Sequence, residues 1–142
     1  MTMRARRGSA NSDRGAAAVE FALLLPLLVL LIFGMIDFGR AINAQITITQ
    51  AAREGARALA LGQTTTYQAR AVQAGVGLGL TTANVTDLPD SLKTTGCPAG
   101  AAQTGDDAVV QVTYTFTFIT PVGSLFGPTK TLTAKGQIPC ET

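Results

Sequence analysis

The sequence predicts an α+β fold: a long N-terminal helix, half transmembrane and half external and amphipathic, packed on a small antiparallel β-sheet. Three observations carry this. Gly15 to Ile36 (GAAAVEFALLLPLLVLLIFGMI) is an almost wholly apolar run, and about 20 apolar residues is what a helix needs to cross the hydrocarbon of a bilayer. From Phe38 to Leu61 apolar residues recur every three or four positions without a proline, the period of one helix face. Val110, Val112, Tyr114, Phe116 and Phe118 alternate with Gln111, Thr113, Thr115 and Thr117, the pattern of a strand with one buried and one wet face.

Residues 1–15 (MTMRARRGSANSDRG) are small, polar and basic, a composition that favours disorder. Arg4, Arg6, Arg7 and Arg14 stand against the single acid Asp13, and basic flanks of this kind stay on the cytoplasmic side of a span. Residues 16–36 are the expected transmembrane helix, with Pro26 inside it; membrane helices tolerate a bend of that sort. Glu20 is the residue that does not belong, since a carboxylate within a span is costly unless paired or near the interface and by default marks function. The hydrated position at the cytoplasmic headgroups is the competing reading, because only Phe21 to Ile36 follow it before the polar sequence resumes.

Past Ile36 the helix is expected to continue as an external spine over residues 37–62. Asp37 and Arg40 mark the interface, three positions apart and able to meet on one helix face. Phe38, Ile42, Ile46, Thr49, Ala52, Ala56 and Leu59 form the expected apolar stripe, losing bulk outward, and Gly62 is the stop signal. Arg53, Glu54 and Arg57 fall on the polar flank, where Glu54 can offset two like charges, and read first as a solvated face. Residues 63–142 are the expected small external α+β domain. Thr64 to Thr66 cap a short helix from Tyr67 to Ala74, Ala83 to Leu88 reads as a short strand, and Thr129 to Ile138 as a return strand weakened by Gly136. Gly75, Gly77 and Gly79 do not make a phosphate loop, because no strand precedes them and no Gly-Lys-Ser/Thr follows.

Composition excludes several functions. Of 142 residues 46% are hydrophobic and only 14% charged, and the net charge of +2 owes much to the first fifteen positions. Four of the eleven basic residues and one of the nine acidic ones precede Gly15 or lie within that stretch, leaving seven and eight. A near-neutral remainder argues against nucleic acid, whose phosphates require a basic face. The chain has no His and no Trp, and no Ser/His/Asp set or metal-ligand cluster. The expectation is therefore no catalytic residue, no cofactor, no metal and no small-molecule substrate. Cys97 and Cys140 both lie beyond the span, in what should be an oxidising compartment. A disulfide between them is expected, with reduced thiols or metal ligation as the alternatives.

A basic leader ending in Gly15, the small Ala16, and Glu20-Phe21 at the fifth and sixth positions of an apolar helix resemble the cleavage signal of type IV pilins. The string RGAAAVEFALLLPLLVLLIFGMIDFGRA followed by QAAREGARALA resembles, more narrowly, the TadE/TadG-like proteins, pilin-like subunits of tight-adherence (Flp) pilus systems. The resemblance covers Arg14 to about Leu61 and implies a pilin-like minor subunit, or pseudopilin, cut between Gly15 and Ala16 by a prepilin peptidase. It implies a bacterial inner-membrane location with the C-terminal domain periplasmic. The partners it implies are the peptidase, other pilin and pilin-like subunits and the pilus assembly platform. It assigns Glu20 to pairing with the terminal amine of a neighbouring subunit and suggests an assembly contact for Arg53, Glu54 and Arg57. The other readings are an uncleaved single-span protein whose external domain binds a ligand or partner, and an anchored hydrolase.

Overall fold

The structure is a computed structural model that describes residues 10–88, 107–121, 123 and 127–140, the side chains of 10–14 excepted. The α+β expectation holds. Helix α1 (Ala10–Ala60) carries the short helix α2 (Tyr67–Ala74), and both pack on three strands, β1 (Val85–Asp87), β2 (Asp107–Thr117) and β3 (Thr129–Pro139). The sheet is antiparallel in the order β1-β2-β3.

Helix α1 runs 51 residues without a break, Pro26 included, about 75 Å at about 1.5 Å per residue. It starts at Ala10 rather than after Gly15, so the segment 10–15 is helical where disorder was expected. Once the apolar turns exist, each further residue adds a hydrogen bond at little entropic cost, and the helix extends backward. Its end follows the sequence signal. Gly62 takes a φ of +75°, with Gly62 N–H donating to Leu59 O and Gln63 N–H to Ala58 O, both at 3.0 Å. This pair of bonds satisfies the last carbonyls of the helix and uses the one residue type that adopts that φ freely.

The core forms where the upper third of α1 meets the sheet: Ile48, Ala51, Ala52, Ala56 and Leu59 against Tyr67, Ala71, Val85, Val110, Val112 and Ala134. The expected stripe is half right. Ala52, Ala56 and Leu59 are buried, but Phe38, Ile42 and Ile46 remain 67%, 46% and 53% exposed. The buried face below Ala51 runs instead through Asp37, Ala44 and Ile48. At Ala52 the sheet approaches so closely that no side chain fits opposite it. A Cβ built on Gly136 would overlap the Ala52 carbonyl and stand 2.7 Å from Arg53 N. Gly136, in register with Val110, is thus the contact that sets the helix–sheet distance, not a weakness of the strand.

Strand β2 buries Ala108, Val110, Val112 and Phe116, with Tyr114 half-buried, as the alternation predicts. Two local expectations are corrected. Residues Thr82–Asn84 form a 3-10 turn rather than strand, because the Asn84 side chain bonds back to the Thr81 amide at 2.9 Å and closes the turn before β1. Thr66 is the N-cap of α2, but its hydroxyl donates to Gln63 Oε1 at 3.3 Å instead of capping a backbone amide. Helix α2 is held by tertiary bonds: Tyr67 Oη donates to Asp87 Oδ1 at 3.0 Å and Gln68 Nε2 to Val85 O at 3.1 Å.

Candidate functional site

The motif Gly15-Ala16-x3-Glu20-Phe21 stands on the first turns of the apolar part of α1, with Glu20 exposed and Phe21 59% exposed. Ala16 and Glu20 are four apart in a continuous helix, so they share a face one turn from each other. A side chain added at Gly15 would meet nothing within 4 Å. The helix that contains this motif is long and apolar enough to cross a membrane, and none of its most apolar stretch is buried against the protein. Lipid is the environment that such a surface suits, and the chain is accordingly membrane-anchored through α1.

The second site is at the far end of the apolar run. Asp37 is 1% exposed and Arg40 meets it on the same face, Nη1 to Oδ1 at 3.0 Å. The carboxylate does more than pair with arginine. Ile119 N–H donates to Oδ1 at 3.3 Å, Thr120 N–H to Oδ2 at 3.2 Å, and the Thr120 hydroxyl to Oδ2 as well. Burial pushes the Asp37 carboxyl up, but the bonds from the Thr120 hydroxyl, the Ile119 and Thr120 amides and Arg40 together outweigh it and hold the group below its ordinary value. Arg40 also lies over the Phe116 ring, 5.1 Å from the centroid, and Phe116 meets Phe118 edge to face at 5.2 Å. The spacing of Asp37 and Arg40 revealed their pairing. Pro121 to Pro128 read as a turn-rich connection, but its attachment to Asp37 through Ile119 and Thr120 had no local signal in the sequence.

Arg53, Glu54 and Arg57 do not form the compensated trio that their spacing suggested. Glu54 turns to α2, where Arg70 Nη1 stands 3.8 Å from its carboxylate, both side chains partly exposed. Among the described residues neither Arg53 nor Arg57 has an ion-pair partner within 4.0 Å. Glu54, Arg57 and Arg70 line a shallow groove with Ala58, Leu61 and Gln63. Cys97 lies outside the described residues, and with it the Cys97–Cys140 pairing; Cys140 follows β3 and packs against the core. Among the described residues no group of three or more His, Cys, Asp or Glu is placed to hold a metal.

Sequence reasoning missed the phase of the helix. Phe38, Ile42 and Ile46 form an apolar stripe on the face turned from the sheet, in line with the exposed Leu31 and Met35 of the apolar run below. The signal was the position of Asp37: a carboxylate that receives four bonds must face the domain, and Phe38, one residue on, then faces away.

Comparison with curated proteins and with solved structures gives no match. The family model described as TadE-like protein matches residues 15–57, from Gly15 through the Asp37–Arg40 pair to Arg57, and over that segment the chain is similar to that family.

Proposed function

We propose that this chain is a non-enzymatic, pilin-like minor subunit that takes part in building a tight-adherence pilus. It is made as a precursor and cut by a prepilin peptidase between Gly15 and Ala16. The observation that carries the reading is the TadE-like segment laid along one unbroken helix. The helix carries the Gly15–Glu20 motif in its early turns, passes through an apolar run, and ends as the spine of a small sheet domain. The reading divides the chain into a cytoplasmic leader (1–15), a transmembrane helix (16–36), a helical spine (37–62) and a periplasmic domain (63–142). Its partners are the inner membrane, the peptidase, other pilin-like subunits and the assembly platform.

The stripe of Phe38, Ile42 and Ile46 supports an assembly role. Large apolar side chains left bare at helical spacing, beyond the end of the span, suit packing against another helix. The experiment is the intact mass of the protein recovered from a strain with its own peptidase, with and without that enzyme. A mature chain starting at Ala16 only when the peptidase is present supports the proposal. A chain that retains Met1 to Gly15 in both strains refutes it and favours the uncleaved single-span alternative.

A further inference from the structure

The connection that leaves β2 meets the apolar run at Pro121. Pro121 shares an open groove of about 250 Å³ with Pro26, Val29, Leu30 and Phe33, residues about one to three helical turns before Asp37. If the bilayer ended below this groove, only residues 16–25 would remain to cross it. That is about 15 Å of helix, against about 30 Å of hydrocarbon. The groove therefore lies at the depth of the acyl chains, and so does Pro121, which forms its other wall.

Irregular backbone survives at that depth only when its polar groups are bonded within the protein. Four amides among the described residues of this segment meet the condition. Phe118 N–H donates to Pro128 O at 3.1 Å and Gly123 N–H to Thr120 O at 3.1 Å. Ile119 N–H and Thr120 N–H go to the two oxygens of Asp37, and Pro121 has no N–H to satisfy. Ile119, between two of these bonded positions, presents its side chain 67% exposed. Arg40, 42% exposed at the side chain, stands at the rim, its guanidinium over the Phe116 ring and within reach of the headgroup layer.

We propose that Ile119 and Pro121 form a membrane wedge, seated in the leaflet on the domain side, with lipid acyl chains filling the groove against Pro26, Val29, Leu30 and Phe33. Asp37 is the positioning residue that pins the wedge to α1. The wedge gives the domain a second anchor, fixing its tilt on the bilayer where a lone helix would leave it free to swing. The proposal rests on the reading of residues 16–36 as a span, and its test separates the two. The chain has no tryptophan, so a single substitution creates a unique reporter.

Full-length Ile119→Trp, Phe33→Trp and Val76→Trp would be reconstituted in vesicles of phosphatidylethanolamine and phosphatidylglycerol. Emission would be quenched by lipids brominated on the acyl chain and, separately, by aqueous acrylamide. Ile119 and Val76 are exposed in the protein, Val76 at 81%, so both positions accept the larger ring. Ile119→Trp is expected to lose emission to the brominated lipid as Phe33→Trp does, and to resist acrylamide, which should quench Val76→Trp alone. If Ile119→Trp instead follows Val76→Trp while Phe33→Trp stays lipid-quenched, the wedge is wrong and the span stands. If Phe33→Trp is also acrylamide-quenched, both fall. Protection of Ile119→Trp from both quenchers that disappears on dilution with lipid would place a second copy on this surface and overturn the assignment to lipid.

Discussion

Thr120 donates both its backbone amide, at 3.2 Å, and its hydroxyl to Oδ2 of Asp37, across 83 residues of sequence. The bond ties the end of the hairpin to α1 at the boundary of the apolar run, and it depends on the charge of Asp37. That carboxyl is held below its ordinary value of 3.8. A group with a depressed folded value contributes stability that is fully present above the ordinary value and is lost as pH falls through the folded one. Hydrogen exchange should accordingly show Ile119 and Thr120 amides protected at neutral pH and released in acid below about pH 4, the ordinary carboxylate range. Asp37→Asn replaces one acceptor oxygen with a donor, so protection of this pair should drop at neutral pH and the acid step should vanish. Equal protection in both proteins at pH 7 would show that the clamp is not what holds the segment.

Gly136→Ala makes the complementary test of the helix–sheet contact. The added methyl would run into the backbone of Ala52 and Arg53, and no rotamer relieves a clash between a Cβ and a main chain. The sheet must shift, which for an overpacked core costs about 1–3 kcal/mol. Gly39→Ala is the control, since a Cβ there meets nothing within 4 Å and alanine in a helix is favoured over glycine by about 0.5–1 kcal/mol. Thermal denaturation should lower the midpoint for the first and leave or raise it for the second. A neutral Gly136→Ala would mean that the sheet rides farther from α1 than described.

These two positions also show where the sequence was legible. Helix α2 and the buried alternation of β2 follow from local period and turn chemistry, and Gly62 ends α1 by a rule that needs only the glycine. The phase of α1 does not. Phe38 and Asp37 both lie on plausible faces of the same helix, and which one turns inward is decided by a segment more than 80 positions away. Gly136 read as a weak point because a strand glycine has no side chain to pack; only the approach of Ala52 makes its absence of Cβ a requirement. In the motif region, by contrast, the assignment of Gly15, Ala16 and Glu20 rests on their spacing alone, and the folded domain adds no contact at Gly15.

Cys97 and Cys140 should be joined in exported protein. The closed loop of about 44 residues would contribute about 4 kcal/mol on the chain-entropy account, less any strain. Mass-tagging of thiols with and without prior reduction reads this directly. Two thiols that label fully in unreduced, membrane-extracted protein would exclude the bond.

Gly15→Leu should block maturation while leaving the fold intact. The structure allows the side chain, since nothing lies within 4 Å of a Cβ at this position, and leucine is the better helix former. Failure to mature would then report the requirement of the peptidase for a small residue before the cut bond, with normal membrane yield and protease resistance as the control for folding. Normal processing at Ala16 would remove Gly15 from the assignment.

Glu20 is expected to act in assembly and not in insertion or folding. It is the one charged residue between Ala16 and Ile36, exposed on α1 and about 25 Å from Asp37 along the helix. Replacing it with Gln removes a charge that hydrocarbon disfavours, so insertion should be unchanged or improved. The domain, held by Asp37 and by the contact of Ala52 with Gly136, should keep its melting behaviour. What should be lost is registry between subunits, because a buried carboxylate and a buried amine each remove the other's desolvation cost, and the span offers no second acid to take the role. The measurement runs three readouts on Glu20→Gln: membrane yield, thermal midpoint and pilus output. Wild-type pilus output would refute the pairing. Loss of the protein from the membrane would show instead that Glu20 serves insertion, against the cost argument that assigns it to assembly.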